Sequence, residues 1–194
     1  MDEIELLSGV LTKASGVVAG VDEHRSGSAT PCDDYTVQQL MNHMVGWVQV
    51  FDAGCHGRGF EGDPAAYVCG PDAADTFARA AAGIVAGWKE LGFDREVAIS
   101  SGAKMPAAMV FNMTLMEFLA HGWDLASASG QPNPFSEAEA AEVLSRARAT
   151  LPPEYQGEGQ AFGAVVPVAD DAPAIDRLIG FLGRDPAWAE STTR

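Results

Sequence analysis

Basic residues are scarce in this chain. Only 12 lysines and arginines stand against 27 aspartates and glutamates, a formal net charge of −15 over 194 residues. Phosphate backbones and anionic membrane surfaces are held by clusters of Lys and Arg, so nucleic acid and membranes are excluded as partners. Cysteine is scarce too. Cys32, Cys55 and Cys69 are an odd number at irregular spacing, without a CxxC pair. They make neither a disulfide framework nor a zinc knuckle, and they suit a reducing cytosol. No apolar run approaches the length that spans a bilayer. The N-terminal MDEIELLSGV lacks the basic and apolar regions of a secretion signal. A soluble, cytoplasmic protein is expected.

What is present is 47 % hydrophobic residues, too many for a disordered chain and enough for a sizeable core. The apolar spacing predicts a first helix over 2–19, stopped at Gly20. Thr36 and Gln39 form a capping box that opens a second, running to about Phe51. An Ala-rich third covers 72–91, ended by Gly92, and a fourth lies in FNMTLMEFLAHGWDLASASG, 111–130. A second capping box, Ser136 to Glu139, opens a helix to about Thr150, and a last short helix falls near 172–182. GCHGRGFEGDPAAYVCGPD (54–72) reads as a long loop, and REVAISSGAKMPAAM (95–109) as one or two brief strands. The expected fold class is mostly α: a four-helix bundle with at least one long crossover connection and short extra helices and strands. Residues 1–194 are expected to form one domain, with 151–194 a C-terminal extension packed on the bundle.

The fourth helix is apolar almost all the way round, yet it carries Glu117, His121 and Asp124. On a helical wheel at ~100° per residue, with Glu117 at zero, His121 falls near +40° and Asp124 near −20°. The three share one narrow face, while Leu115, Met116, Phe118, Leu119, Trp123 and Leu125 take the remainder. A helix apolar on most sides is buried, so this stripe points into the bundle and needs a partner. The second helix offers one. His43, in QLMNHMVGW, shares its face with Leu40, Trp47 and Val50. Two imidazoles and a carboxylate from facing helices suit a borderline divalent metal, with zinc first, and leave a position open for water or substrate. Asp124 then reads as a group orienting an imidazole, or as a polar lining of the cavity. The plainer reading makes His43 a hydrogen-bonded core residue and Glu117 with His121 an ordinary helical pair.

Other candidates carry less. His56 and Arg58 lie in the glycine-rich loop after the His43 helix, placed either to close over the site or as incidental surface residues. His24 and Arg25 read as a solvated turn, and GRGFEG lacks the GK[ST] ending and flanking strand of a P-loop. The cysteines have no His/Asn framework for nucleophilic catalysis. Trp47, Trp88 and Trp123 read as core packing, and Asn42, ~100° around the helix from His43, as structural.

Taken together, YTVQQLMNHMVGW, GAKMP, TLMEFLAHGWDLASASGQP and FLGRDPAW resemble the DinB-like metal-binding superfamily. Within it, the similarity is to the branch related to the N-terminal domain of mycothiol-dependent maleylpyruvate isomerase. The resemblance implies a four-helix bundle holding a divalent metal, commonly zinc, on His43, Glu117 and His121. It also implies a low-molecular-weight thiol, mycothiol or bacillithiol, as cosubstrate, activated by the metal for addition or transfer. The isomerase binds a dicarboxylate with the help of a second domain. A dianionic substrate asks for an arginine clamp, and none is identifiable here.

The expected function is therefore a metal-dependent, thiol-using transferase or isomerase acting on a small electrophile. A non-catalytic metal- or small-ligand-binding bundle is the alternative. A third reading makes the site vestigial and the helices a dimerisation surface, so a homodimer stays open.

Overall fold

The computed structural model describes residues 2–99, 104–160 and 162–189. Six α-helices and one hairpin follow in chain order: α1 (Glu3–Ala19), α2 (Val37–Cys55), α3 (Ala73–Leu91), β1 (Glu96–Ala98), β2 (Lys104–Pro106), α4 (Ala107–Ser129), α5 (Glu137–Thr150) and α6 (Ala174–Phe181). The first four helices form the bundle. α1 packs on α3 and α4, and α2 packs on the same two helices. Helices α1 and α2, consecutive in the chain, are thus diagonal, and the connection between them crosses the end of the bundle. α5 lies against both α4 and α6.

Local chemistry sets the ends of these helices. The Asp2 carboxylate accepts from the amides of Ile4 and Glu5, and both capping boxes form, Thr36 with Gln39 and Ser136 with Glu139. α4 stops at Gly130, whose φ of 72° is a left-handed cap that a side chain resists. α2 continues to Cys55, past the expected end near Phe51, because Gly54 is a packing residue. A Cβ there would sit 2.7 Å from the Ala98 carbonyl of the hairpin. α4 begins at Ala107, earlier than the apolar run suggests, with Pro106 in the capping position where a missing N–H costs nothing. The expected strands at 95–109 are the antiparallel pair β1–β2, Val97 opposite Met105. Part of that stretch, 100–103, including the start of GAKMP, lies outside the described residues.

The core runs along the bundle axis, where Phe118 meets Phe51 and Phe77 with ring centroids 5.8 and 5.5 Å apart. Trp88 stacks on Phe93 and meets Phe111 edge-on. Truncating a ring such as Phe118 to alanine costs ~3–5 kcal/mol in a core of this kind. The long connection after α2 is pinned by Asn42, whose Oδ1 accepts from the Cys69 amide at 3.1 Å and from the Cys69 thiol at 3.0 Å. No helix among the described residues is long and apolar enough to cross a membrane.

Beyond α5 the chain returns to the bundle as a wall. The Val166 amide donates to Gly180 O and the Gln156 side chain donates to Phe181 O, tying this wall to α6. Gly163 and Gly183 touch backbone to backbone: a Cβ on Gly183 would come within 2.5 Å of Gly163, and Gly183 has φ 85°. Only glycines permit that approach. It brings Arg184 against the face of α4 that bears the polar stripe.

Candidate metal centre

Burial of the apolar sides of α2 and α4 leaves their polar positions facing one cavity of about 640 Å³. At its floor, His43 from α2 meets Glu117 and His121 from α4. His43 Nε2 lies 2.7 Å from Glu117 Oε1, and His121 Nε2 lies 3.8 Å from the same oxygen. The two imidazole centroids are 4.9 Å apart. Ligand atoms of all three residues lie within 4.8 Å of one another. A tetrahedral zinc with bonds near 2.0–2.1 Å spaces its donors about 3.3 Å apart, between the two measured separations.

Each imidazole is held from behind. His121 Nδ1 donates to Asp124 Oδ2 at 3.0 Å, one turn on along the helix. A carboxylate only accepts, so a proton sits on Nδ1, and Nε2 is the atom turned toward Glu117. His43 Nδ1 lies 3.1 Å from the Tyr35 hydroxyl. Burial, with Cys32 and Glu117 nearby, pushes the Tyr35 pKa up, so that hydroxyl keeps its proton. It donates to or accepts from Nδ1, whichever the ring requires.

The electrostatics are graded with depth. Burial pushes the Glu117 carboxyl pKa up, but His121, then His43 and Arg184, overcome this and hold it at about 2. Glu117 is therefore an anion with its side chain 20 % exposed to the cavity, whereas Asp124 is sealed at 0 %. Arg184 neutralises Asp124: its Nε and Nη2 donate to Oδ2 at 3.3 and 3.2 Å, and its Nη1 donates to Leu182 O at 2.7 Å. Asp124 Oδ1 has no partner among the described residues. Cys32, on the loop before α2, completes a second group of potential ligands with His121 and Asp124. Burial pushes its thiol up to about 11 against the pull of Arg184.

The structure thus brings His43, Glu117 and His121 together and sets Asp124 on the far nitrogen of His121. It places His56 and Arg58 elsewhere. Both are tied to Asp52, His56 Nδ1 to its carbonyl at 2.9 Å and Arg58 Nη2 to Oδ2 at 3.0 Å, and neither lines the cavity. Trp88 and Trp123 are buried in the core as expected, but Trp47 is half-buried and lines the cavity beside His43. Tyr35 and Arg184 were missed by sequence reasoning. The signals were the YTVQQLMNHMVGW and FLGRDPAW motifs themselves, which contain Tyr35 and Arg184.

The mycothiol maleylpyruvate isomerase N-terminal domain family matches residues 10–126, well over half of the chain. The chain belongs to this family. Two proteins of Mycobacterium tuberculosis, one from each of two strains and both described as uncharacterized, are 30 % identical over 175 residues. That alignment spans 88 % of this chain and 91 % of each relative. Among solved structures, a histidine-to-alanine variant of mycothiol-dependent maleylpyruvate isomerase superposes with a TM-score of 0.54. The two are 18 % identical, over 81 % of this chain and 72 % of that one. Likeness at that identity concerns the fold, and the helical bundle described above is the one this family shares. The match to the family ends within α4, two residues beyond Asp124. Arg184 and the wall that carries it lie outside it.

Proposed function

We propose that this member of the family is a metal-dependent transferase or isomerase that uses a low-molecular-weight thiol on a small electrophile. The observation that carries the reading is the convergence of His43, Glu117 and His121 at the floor of a cavity, with both imidazoles oriented by a second group. Two neutral nitrogens and one carboxylate are the donor set of an open zinc site, so zinc fits these residues.

A divalent cation bound there supplies Lewis acidity, lowering the pKa of a thiol so that the thiolate is available at neutral pH. The protein's own residues do the rest. His121 is held by Asp124 in the tautomer that offers Nε2. His43 Nε2 lies against ionised Glu117, and His43 would hold a cation through that nitrogen in the tautomer that carries its proton on Nδ1, facing the Tyr35 hydroxyl. The Tyr35 hydroxyl can accept as well as donate, so it suits either tautomer of His43. Trp47, Phe51 and Met113 give the cavity an apolar side that keeps water from the reacting atoms. A cavity of about 640 Å³ accommodates a small-molecule thiol together with a modest electrophile. Mycothiol is the thiol named in the family, and we take it as the first cosubstrate to test.

The test is metal content after reconstitution with zinc and gel filtration. One equivalent per chain is expected, falling to near zero in Glu117→Ala and in His121→Ala. A chain that retains no zinc, or variants that retain all of it, would remove the proposal.

A further inference from the structure

The rim and the floor of the cavity differ in charge. At the floor, Arg184 spends three N–H bonds on Asp124 and Leu182, so its guanidinium is already paired with a carboxylate of the protein. At the rim, the loop before α2 contributes Asp33 and Asp34, and the C-terminal wall contributes Glu158, all three exposed. Among the described residues, no lysine and no second arginine lines the cavity. A divalent cation on Glu117 and the imidazoles leaves the surroundings negative still: five carboxylates outweigh one guanidinium and two cationic charges.

We propose that Asp33, Asp34 and Glu158 select by charge, so that the electrophile entering this cavity is neutral or cationic and dicarboxylates are turned away. The inference rests on the cavity being the thiol-using site proposed above. It follows from the whole lining and not from one group. A dicarboxylate needs a bidentate arginine free to receive it, and Arg184 already receives a carboxylate from the protein. On the way in it also passes acids from two separate segments, whose repulsion acts over about a Debye length, ~8 Å at physiological salt. A neutral or cationic molecule meets no such barrier, and the rim carboxylates offer acceptors for its hydroxyl or ammonium groups.

The experiment uses the cobalt-substituted protein, whose sulfur-to-metal charge-transfer band reports any thiol that reaches the floor. Three small thiols serve as charge probes: 2-mercaptoethanol (neutral), cysteamine (cationic) and mercaptosuccinate (dianionic). The readout is the ratio of the mercaptosuccinate to the 2-mercaptoethanol dissociation constant, which removes differences in metal loading. Relative to wild type, this ratio is expected to fall about tenfold in Asp33→Asn/Asp34→Asn/Glu158→Gln at low ionic strength. In the wild type alone, raising the salt to ~0.5 M is expected to reduce it about fivefold. Cysteamine is expected to move the opposite way. A ratio indifferent to both the variant and the salt overturns the charge selection while leaving the thiol site standing. Absence of a band with all three probes overturns the thiol site itself, and the charge selection with it.

Discussion

Arg184 and Asp124, 60 residues apart in the chain, form a buried ion pair that joins the C-terminal wall to the polar stripe of α4. Through it the wall, the carboxylate and the His121 imidazole become one connected unit. Neither charge has water to fall back on: their side chains are 6 % and 0 % exposed.

Removing one partner of such a pair leaves the other buried and uncompensated, which costs ~3–5 kcal/mol. Arg184→Met is therefore expected to lower the unfolding free energy by about 3 kcal/mol in urea titration. Adding Asp124→Asn to that background should restore more than half of the loss, because no bare charge remains. Equal destabilisation by the single and double variants would show that the two side chains do not act together.

Tyr35 should matter for the metal more than for the fold. Tyr35→Phe keeps the ring and removes only the hydroxyl 3.1 Å from His43 Nδ1. Losing a group that orients a ligand imidazole commonly costs 10–100-fold in metal affinity. Competition against a chromogenic chelator should show zinc binding about tenfold weaker, with stability changed by no more than ~1 kcal/mol.

Glu139 makes stability depend on pH. Burial pushes its carboxyl pKa up, but bonds from Lys13 and Ser136 bring it below the ordinary carboxylate range. A folded-state pKa below the unfolded one gives stability that is complete above the unfolded value, ~4.3, and is lost as pH falls through the folded value. Urea midpoints of the wild type should decline below about pH 4.5. Glu139→Ala should show a smaller decline over that window and cost ~1 kcal/mol at pH 7 from the lost cap.

Two of the protein's own thiols, Cys32 and Cys55, should be slow nucleophiles. Burial holds Cys55 at about 12 and Cys32 at about 11, so at neutral pH almost no thiolate exists. Iodoacetamide at pH 7.5 should alkylate Cys32 and Cys55 in the folded protein, read residue by residue by peptide mass mapping, about a hundredfold more slowly than free cysteine.

The parts that repeat were legible in the sequence, and the parts that do not were not. Glu117, His121 and Asp124 fall on one face of a helix because 3.6 residues make a turn, and His43 is found on an apolar seam by the same count. Thr36 and Ser136 announce helix starts because a side-chain oxygen three residues before a Gln or Glu has a defined partner. Tyr35 and Arg184 reach the site from a loop and from a glycine turn, where no period relates one residue to the next. Gly54 misled for a different reason. It opens the glycine-rich run 54–72 that reads as a long loop, and its place in α2 lets the hairpin approach, a contact 44 residues away that local pattern does not contain.

The most direct measurement of the account is the X-ray absorption spectrum of zinc-reconstituted protein in the absence of added thiol. His43, Glu117 and His121 predict a first shell of nitrogen and oxygen alone near 2.0–2.1 Å, with imidazole scattering from two rings that falls to one in His43→Ala. A sulfur scatterer near 2.3 Å would contradict this, because it would place the ion on Cys32, His121 and Asp124 instead.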